Sequence, residues 1–228
     1  MSNKPADVNL KPDELFDGET ETIEAVGPYS FIQKKSGNRY TEDSVSLVNF
    51  LLECNVKGRK LVDLGTGAGV MPILLADKAP AMEIAGVEVI VEYAALAQRN
   101  ARLNGLTSRI KIVSCDFRDL PQSCPEGSFD IVISNPPYVK AGAGRQSPDP
   151  ARRVGRSEVM GGLKDLLAVS RHLAGKDGRM FFVFPAARMD EMVGEMEALG
   201  IKPMRILRGN AANVKSTRVF FIEAGRVS

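Results

Sequence analysis

The 228-residue chain contains no tryptophan, one histidine and only three cysteines. Cys54, Cys115 and Cys124 form no CxxC pair, and together with the single His172 they do not make up the ligand set of a structural zinc site. No apolar run approaches the roughly eighteen residues that a membrane-spanning helix needs. The first residues resemble neither a secretory signal nor an Arg-rich transit peptide. We therefore expect a cytoplasmic protein without a disulfide framework, a metal requirement or a membrane segment.

Composition and charge predict one globular domain preceded by an acidic arm. The chain is 44% hydrophobic and 25% charged, as is usual for globular proteins, and its length fits a single domain. Residues 1–28 hold two lysines and seven acidic residues, a balance of -5, whereas the rest of the chain carries +7. We expect residues 1–28 to be a flexible arm and residues 29–228 to form one domain.

Short β-branched runs alternate with amphipathic stretches from residue 59 onward, a pattern typical of βαβ units and a parallel sheet. Strands are predicted at 59–64, 85–89, 109–115, 128–134 and 178–184, and helices at 70–78, 92–103, 158–173 and 189–199. The apolar runs 204–207 and 218–222 would close the sheet as an antiparallel pair. The predicted fold class is therefore α/β, with a seven-stranded, mostly parallel sheet, helices on both faces and an antiparallel closing strand.

The stretch 29–58 is predicted to precede this core, which spans residues 59–228. Residues 29–33 and 38–40 predict a β-hairpin across the turn residues Ser36 and Gly37. A helix should follow, starting near Glu42 with Thr41 as its N-cap.

A glycine-rich turn follows the first core strand. It reads Asp63-Leu64-Gly65-Thr66-Gly67-Ala68-Gly69, and glycines at this position let the backbone turn tightly and approach a ligand, with a helix N-terminus aimed at it. Because many α/β proteins have glycines here for packing alone, the turn by itself is a weak signal.

Two further acidic residues end the next two predicted strands. Glu88 could accept hydrogen bonds from both ribose hydroxyls of an adenosine, and Asp116, with Phe117 beside it, could meet the adenine edge. The alternative is that these acids are ordinary helix N-caps. Asp63 would repel a pyrophosphate and no Walker lysine follows the turn, so a cationic sulfonium nucleoside such as S-adenosylmethionine suits this crevice better.

The tetrapeptide Asn135-Pro136-Pro137-Tyr138 follows the fourth predicted strand. The prolines restrict the backbone, so the Asn135 side chain and the Pro136 carbonyl could face one point as acceptors, with Tyr138 as a stacking platform. Two acceptors that take both N–H hydrogens of an exocyclic amine would free its lone pair to attack a methyl group. Proximity, orientation and electrostatics would then supply most of the acceleration. The alternative is an Asx turn that simply ends the strand.

Together, DLGTGAG at 63–69, Glu88, Asp116 and NPPY at 135–138 resemble the class I S-adenosylmethionine-dependent methyltransferases, which have a Rossmann-like fold, and within them the amino-methylating branch with an NPPY motif. The stretches FIQKKSGNRYTEDSVSLVNF at 31–50, RRVGRSE at 152–158 and KSTRVFFIEAG at 215–225 resemble bacterial tRNA (adenine-N6)-methyltransferases that modify a valine tRNA beside the anticodon. The resemblance implies that Asn135, Pro136 and Tyr138 are catalytic and that residues 40–43 lie over the cofactor pocket. The expected cofactor-binding residues are Tyr40, Thr41, Asp63, Gly65, Thr66, Gly67, Gly69, Glu88, Asp116, Phe117 and Asn135.

Basic residues cluster after the tetrapeptide and near the C-terminus, as a phosphate backbone would require. We expect tRNA as the partner, held by Lys140, Arg145, Arg152, Arg153, Arg156 and Arg218. Ordinary solvated loop charges are the alternative explanation.

Two other functions remain open at this point. The same tetrapeptide serves for methylating a glutamine amide in a translation release factor, although we expect the roughly sixty residues before the sheet to be too few for the helical domain that such enzymes carry. A non-catalytic RNA-binding module of this fold is the other alternative, and the intact tetrapeptide and Glu88 argue against it.

Overall fold

A computed structural model of the chain describes residues 16–36, 42–55, 57–138, 162–209 and 218–227. The strands are β1 Glu21–Val26, β2 Tyr29–Lys34, β3 Lys60–Leu64, β4 Glu83–Glu88, β5 Ile110–Ser114, β6 Ile131–Ser134, β7 Arg179–Pro185, β8 Ile201–Arg208 and β9 Val219–Arg226. The helices are α1 Glu42–Glu53, α2 Val70–Lys78, α3 Val91–Leu103, the single turn α4 Leu120–Ser123, α5 Leu163–Ala174 and α6 Met189–Ala198.

Seven of the strands form one sheet in the order β5-β4-β3-β6-β7-β9-β8. The first five are parallel to one another, and β9 is antiparallel to both β7 and β8. This architecture confirms the predicted fold class, a Rossmann-like sheet that is mostly parallel and closed by an antiparallel strand.

Both faces of the sheet are covered by helices, and the central strands β3, β6 and β7 are largely apolar and buried on both sides. Leu61 faces the cluster formed with α1 and α2, whereas its neighbour Val62 faces the cluster formed with α5 and α6. On the first face, Phe50 of α1 packs against Phe181 and Phe221, with ring centroids 6.1 and 5.9 Å apart. Continuous hydrophobic strands of this kind are expected when a parallel sheet is buried on both sides.

The order in which strands are added to the sheet changes side at β3. It adds β4 and β5 on one side of β3 and then returns to place β6 on the other side. In open α/β sheets, ligands bind beside the carboxyl ends of the strands at such a switch point. The carboxyl ends of β3, β4 and β6 carry the glycine turn, Glu88 and the NPPY tetrapeptide, so the topology brings these three features to one crevice.

The structure describes an N-terminal hairpin other than the predicted one. Strand β2 pairs antiparallel with β1, which precedes it, from Glu21 opposite Lys34 to Val26 opposite Tyr29. The connecting turn is Gly27-Pro28, and Gly27 adopts the left-handed φ of 58° that a tight hairpin turn requires. The boundary expected at residue 28 therefore falls inside the hairpin, and residues 21–26 of the predicted flexible arm form a strand. The other expected hairpin strand, 38–40, lies outside the described residues.

No helix in the described ranges is long and apolar enough to cross a membrane.

Candidate active site

The glycine turn between β3 and α2 depends on the backbone freedom of its glycines. Gly65, Gly67 and Gly69 have φ values of 78°, 56° and 81°, in the left-handed region that other residues rarely adopt. A Cβ added to Gly65 or Gly67 would meet nothing within 4 Å, whereas one on Gly69 would lie 3.1 Å from the Cβ of Ala97. The first two glycines therefore face open space, and the third allows the close packing of α3.

Glu88 ties the turn to the end of β4. Its side chain is only 3% exposed, and its two carboxylate oxygens accept hydrogen bonds from the backbone N–H groups of Gly67 and Ile90, both at 2.9 Å. Burial raises the pKa of Glu88, and these backbone donors oppose the increase. Each oxygen has a second lone pair, so the carboxylate can still accept hydrogen bonds from a ligand's hydroxyl groups.

Asp63 is a buried carboxyl group without a partner among the described residues. It is fully buried, and neither of its oxygens receives a hydrogen bond from that part of the chain. Burial raises the pKa of Asp63 to about 7; the Thr66 hydroxyl nearby lowers it in part, and the Glu88 charge raises it further. A buried carboxylate without a partner lowers the stability of the fold. It therefore suits a site in which a bound cationic group pairs with it.

Asp116 ends the loop after β5 and caps the short turn Phe117–Asp119. Its carboxylate accepts hydrogen bonds from the backbone N–H and the guanidinium of Arg118. Hydrogen bonding to Arg118 lowers the pKa of Asp116, although burial opposes this. Phe117 packs partly buried against the core under α5. Asp116 is thus both a cap and a charged group at the carboxyl edge, and its contact with an adenine stays a prediction.

The NPPY tetrapeptide is held by the N-terminal turn of α1. The Asn135 amide nitrogen donates to the Ser44 hydroxyl at 2.9 Å, so its carbonyl oxygen is turned toward Tyr138. The Tyr138 hydroxyl lies 2.9 Å from that oxygen and 3.0 Å from a carboxylate oxygen of Asp43. Burial, followed by the nearby Asp43 charge, raises the pKa of Tyr138 above its ordinary value. Tyr138 therefore remains a protonated donor that holds the Asn135 side chain in one orientation.

Arg188 supports the same tetrapeptide from the end of β7. Its guanidinium donates to the backbone carbonyl of Tyr138 at 3.2 Å and lies 4.6 Å from the centroid of the Phe184 ring. Phe184 in turn makes an edge-to-face contact with Tyr138, with centroids 6.4 Å apart. Two hydrogen bonds to Glu191 hold the guanidinium in place.

Three of these supporting residues were missed by sequence reasoning. Ser44 is 91 residues from Asn135, and nothing in the chain signals that contact. Buried Ser134 donates to the Leu64 carbonyl at 2.6 Å and joins β6 to β3, again without a local signal. Arg188 could have been found, because it is a cation in the short link between a predicted strand and the next predicted helix, at the edge where ligands bind.

Several predicted site residues lie outside the described residues. They are Tyr40, Thr41, Lys140, Arg145, Arg152, Arg153 and Arg156. Arg218 is described and exposed, directly before β9 at the carboxyl edge of the sheet. Lys202, another basic residue of the C-terminal stretch, pairs with Gly225 at the opposite end of β8. The C-terminal basic stretch is therefore spread along the sheet rather than gathered at the site.

The described parts of the site contain carboxylates, an amide and a phenol, and no group of three or more His, Cys, Asp or Glu side chains there could hold a metal ion. Asp63 and Glu88 place negative charge beside the open face of the glycine turn, and Asn135 lies at the end of the adjacent strand β6. The arrangement is suited to holding a cationic nucleoside next to a second, amine-bearing molecule.

Comparisons with known proteins agree with this geometry. Residues 38–148 match the family model for the methyltransferase small domain. The tRNA1(Val) (adenine(37)-N6)-methyltransferase of Porphyromonas gingivalis is 30% identical over 133 residues, covering 58% of this chain and 51% of that protein. The 4-amino-L-phenylalanine/4-methylamino-L-phenylalanine methyltransferase of Streptomyces pristinaespiralis is 32% identical over 126 residues, 54% of this chain and 41% of that protein. The chain thus spans about half the length of the curated relatives it matches.

A solved structure shares the fold. The ribosomal protein L11 methylase of Lactobacillus delbrueckii subsp. bulgaricus superposes with a TM-score of 0.59 at 20% identity, covering 83% of this chain and 81% of that one. The resemblance predicted from the motifs is therefore confirmed: over residues 38–148 this chain is similar to the methyltransferase small domain family, and its fold is that of a Rossmann-like methyltransferase.

Proposed function

We propose that this protein transfers a methyl group from S-adenosylmethionine to N6 of an adenine in the anticodon loop of a tRNA. The observation that carries the proposal is the hydrogen-bonded set formed by Asn135, Tyr138, Asp43 and Ser44 beside the glycine turn. This set orients an amide oxygen at the strand end next to the crevice, where an exocyclic amine must be held for attack.

The crevice residues fit the cofactor. Gly65 and Gly67 leave open space above the turn, and the buried Asp63 carboxylate lacks a partner among the described residues. Glu88 would hold the ribose hydroxyls, and Asp63 would favour the cationic amino-acid part of the molecule. S-adenosylmethionine, when bound, supplies an electrophilic methyl group on a sulfonium centre.

The chain's own residues would prepare the amine for attack. The Asn135 side-chain oxygen and the Pro136 carbonyl would accept the two N–H hydrogens, which favours a pyramidal nitrogen with an available lone pair. Tyr138 would stack on the target base and keep Asn135 oriented through its hydroxyl. A general base with a pKa near 7 is not needed, because the N-methylated cation is strongly acidic. Orientation and electrostatics would account for most of the rate enhancement.

The choice of tRNA rests on charge and on the relatives. Between residues 140 and 156 the sequence has one lysine and four arginines against a single aspartate, directly after the tetrapeptide. Lysine and arginine clusters beside a pocket suit a phosphate backbone. A relative at 30% identity is named a tRNA adenine-N6 methyltransferase. An anticodon-loop base is already unstacked in part, so extruding it would cost only a few kcal/mol.

The second candidate is an amine that is not part of RNA. The Streptomyces relative is named for 4-amino-L-phenylalanine, whose aryl amine, like that of adenine, is conjugated to a ring. The same acceptors at Asn135 and Pro136 would serve such a substrate, and they would equally serve the glutamine amide of a release factor.

A transfer assay separates these candidates. The purified protein is incubated with radiolabelled S-adenosylmethionine and, in parallel, with tRNA lacking the modification, a release factor, or 4-amino-L-phenylalanine. We expect label in tRNA, with N6-methyladenosine as the product in nucleoside mass spectrometry. The Asn135→Ala variant should bind the cofactor about as well as the parent and lose most turnover. Label only in the release factor or in the free amino acid would refute tRNA as the substrate.

A further inference from the structure

The β1–β2 hairpin is attached to helix α3 by a row of side chains. Arg99 forms a bidentate ion pair with Glu21, with N–O distances of 2.7 and 2.6 Å. Lys34 lies 5.2 Å from the centroid of the Tyr93 ring. Closer to the hairpin turn, Asn100 of α3 and Asn104, which directly follows the helix, bind the backbone of β2.

The two asparagines make matching contacts with alternate residues of the strand. Asn100 accepts from the Ile32 N–H at 2.7 Å and donates to the Ile32 carbonyl at 3.0 Å. Asn104 accepts from the Ser30 N–H at 3.1 Å and donates to the Ser30 carbonyl at 2.8 Å. Residues four apart on a helix are separated by about 6 Å along its axis, close to the roughly 6.8 Å between alternate residues of a strand. The asparagines thus satisfy the outer edge of the hairpin.

Only Asn100 also reaches the glycine turn. Its second amide hydrogen is donated to the carbonyl of Ala68 at 2.9 Å, whereas Asn104 donates to the Asn100 carbonyl within α3. Asn100 is completely buried, and both of its N–H hydrogens and its oxygen are used. Ala68 lies between Gly67 and Gly69, so this bond acts on the segment that faces the cofactor crevice.

A buried carbonyl in a glycine-rich turn has few alternative donors. The turn is held at Gly67 by Glu88 and at Gly65 and Thr66 by the Val87 carbonyl. Asn100 is completely buried, and its partners Ile32 and Ala68 belong to one apolar cluster with Tyr93 and Leu96. Because glycines make the turn conformationally permissive, each bond that holds it limits the number of shapes it can adopt.

We propose that Asn100 is a positioning residue that couples the β1–β2 hairpin to cofactor binding through the Ala68 carbonyl. The proposal rests on the proposed function, because it assumes that the glycine turn binds S-adenosylmethionine. The Asn100 contact with Ile32 then favours the binding-competent turn, and by reciprocity cofactor binding strengthens this contact rather than the docking of the whole hairpin.

A pair of variants tests whether the Asn100 contacts increase the affinity for the cofactor. Asn100→Ala removes the bonds to both Ile32 and Ala68, whereas Asn104→Ala is the matched control that removes the bonds to Ser30 and leaves the turn untouched. One lost hydrogen bond of about 1 kcal/mol corresponds to about fivefold in affinity. We expect calorimetry to show S-adenosylhomocysteine binding about fivefold weaker in Asn100→Ala and changed less than twofold in Asn104→Ala. In transfer assays the loss should appear in the KM for S-adenosylmethionine more than in kcat.

Hydrogen exchange of the parent protein tests the reciprocal effect, that of ligand binding on the Asn100 contact with Ile32, without any substitution. Adding S-adenosylhomocysteine should slow exchange of the Ile32 amide, which is bonded to Asn100, by about fivefold. The Ser30 amide, bonded to Asn104, should change little. Because it uses the parent protein, this comparison also tests the coupling if Asn100→Ala does not fold.

The possible results distinguish the failure of this coupling from the failure of the proposed methyltransferase function on which it rests. Equal losses of affinity in the two variants, or equal protection of the Ile32 and Ser30 amides, would overturn the coupling while leaving the methyltransferase function standing. A parent protein that binds neither S-adenosylmethionine nor S-adenosylhomocysteine would overturn both proposals.

Discussion

The Asp63→Asn variant should be more stable than the parent protein at alkaline pH, and this advantage should disappear as the pH falls below the pKa of Asp63. Burial raises the pKa of Asp63 from its ordinary 3.8 to about 7. The folded protein therefore binds this proton more tightly than the unfolded chain does. Stability contributed by the neutral acid is present below about pH 4 and is lost as the pH rises to about 7.

The magnitude follows from the size of that shift. A change of about three pKa units corresponds to about 4 kcal/mol of unfolding free energy. The asparagine amide would itself be buried without partners among the described residues, which costs roughly 1 to 3 kcal/mol at every pH. Relative to the parent, we expect Asp63→Asn to be destabilised slightly at pH 4.5 and stabilised by about 1 to 3 kcal/mol at pH 8.5.

Urea unfolding of both proteins across this pH range measures the difference. The exposed Asp119→Asn variant is the control, since it changes the same functional group outside the crevice. The pH dependence measured for this variant is the reference against which that of Asp63→Asn is compared. If the Asp63→Asn difference is the same at pH 4.5 and pH 8.5, then Asp63 is not a desolvated carboxylate and its assignment to the cation-binding part of the site fails.

Further predictions concern the supports of the site and the hairpin. Tyr138→Phe keeps the ring and removes the hydroxyl that orients Asn135, so kcat should fall about tenfold with the cofactor Kd unchanged; an unaltered kcat would contradict that role. Ser134→Ala removes a buried bond to the Leu64 carbonyl and should lower the unfolding free energy by about 1 kcal/mol in denaturant titrations. Because hydrogen bonding to Arg99 holds the pKa of Glu21 below its ordinary 4.5, Glu21→Gln should destabilise the protein at pH 7 but progressively less as the pH falls below about 4.5. A pH-independent effect of Glu21→Gln would show that the ion pair contributes nothing.

The core of the fold could be predicted because its signals are local. Each strand from β3 to β7 is a short, mainly apolar run, and some glycines, such as Gly65 and Gly105, stand where the chain turns with a positive φ. The hairpin could not be predicted in the same way. Residues 29–33 have turn residues on both sides, and the sequence does not show that the Gly27-Pro28 turn is the one that joins them to the described partner β1.

By itself, the sequence determined the α/β class, the strand order along the chain and the motifs that end β3, β4 and β6. These follow from hydrophobic periodicity and from residue types that chemistry requires at strand ends. Only the tertiary structure decided what holds those motifs. The Ser44 contact with Asn135, the Arg188 contact with Tyr138 and the Asn100 bond to Ala68 each join residues 32 to 91 positions apart. Such contacts depend on how helices pack across a twisted sheet, and a linear pattern carries no record of that packing.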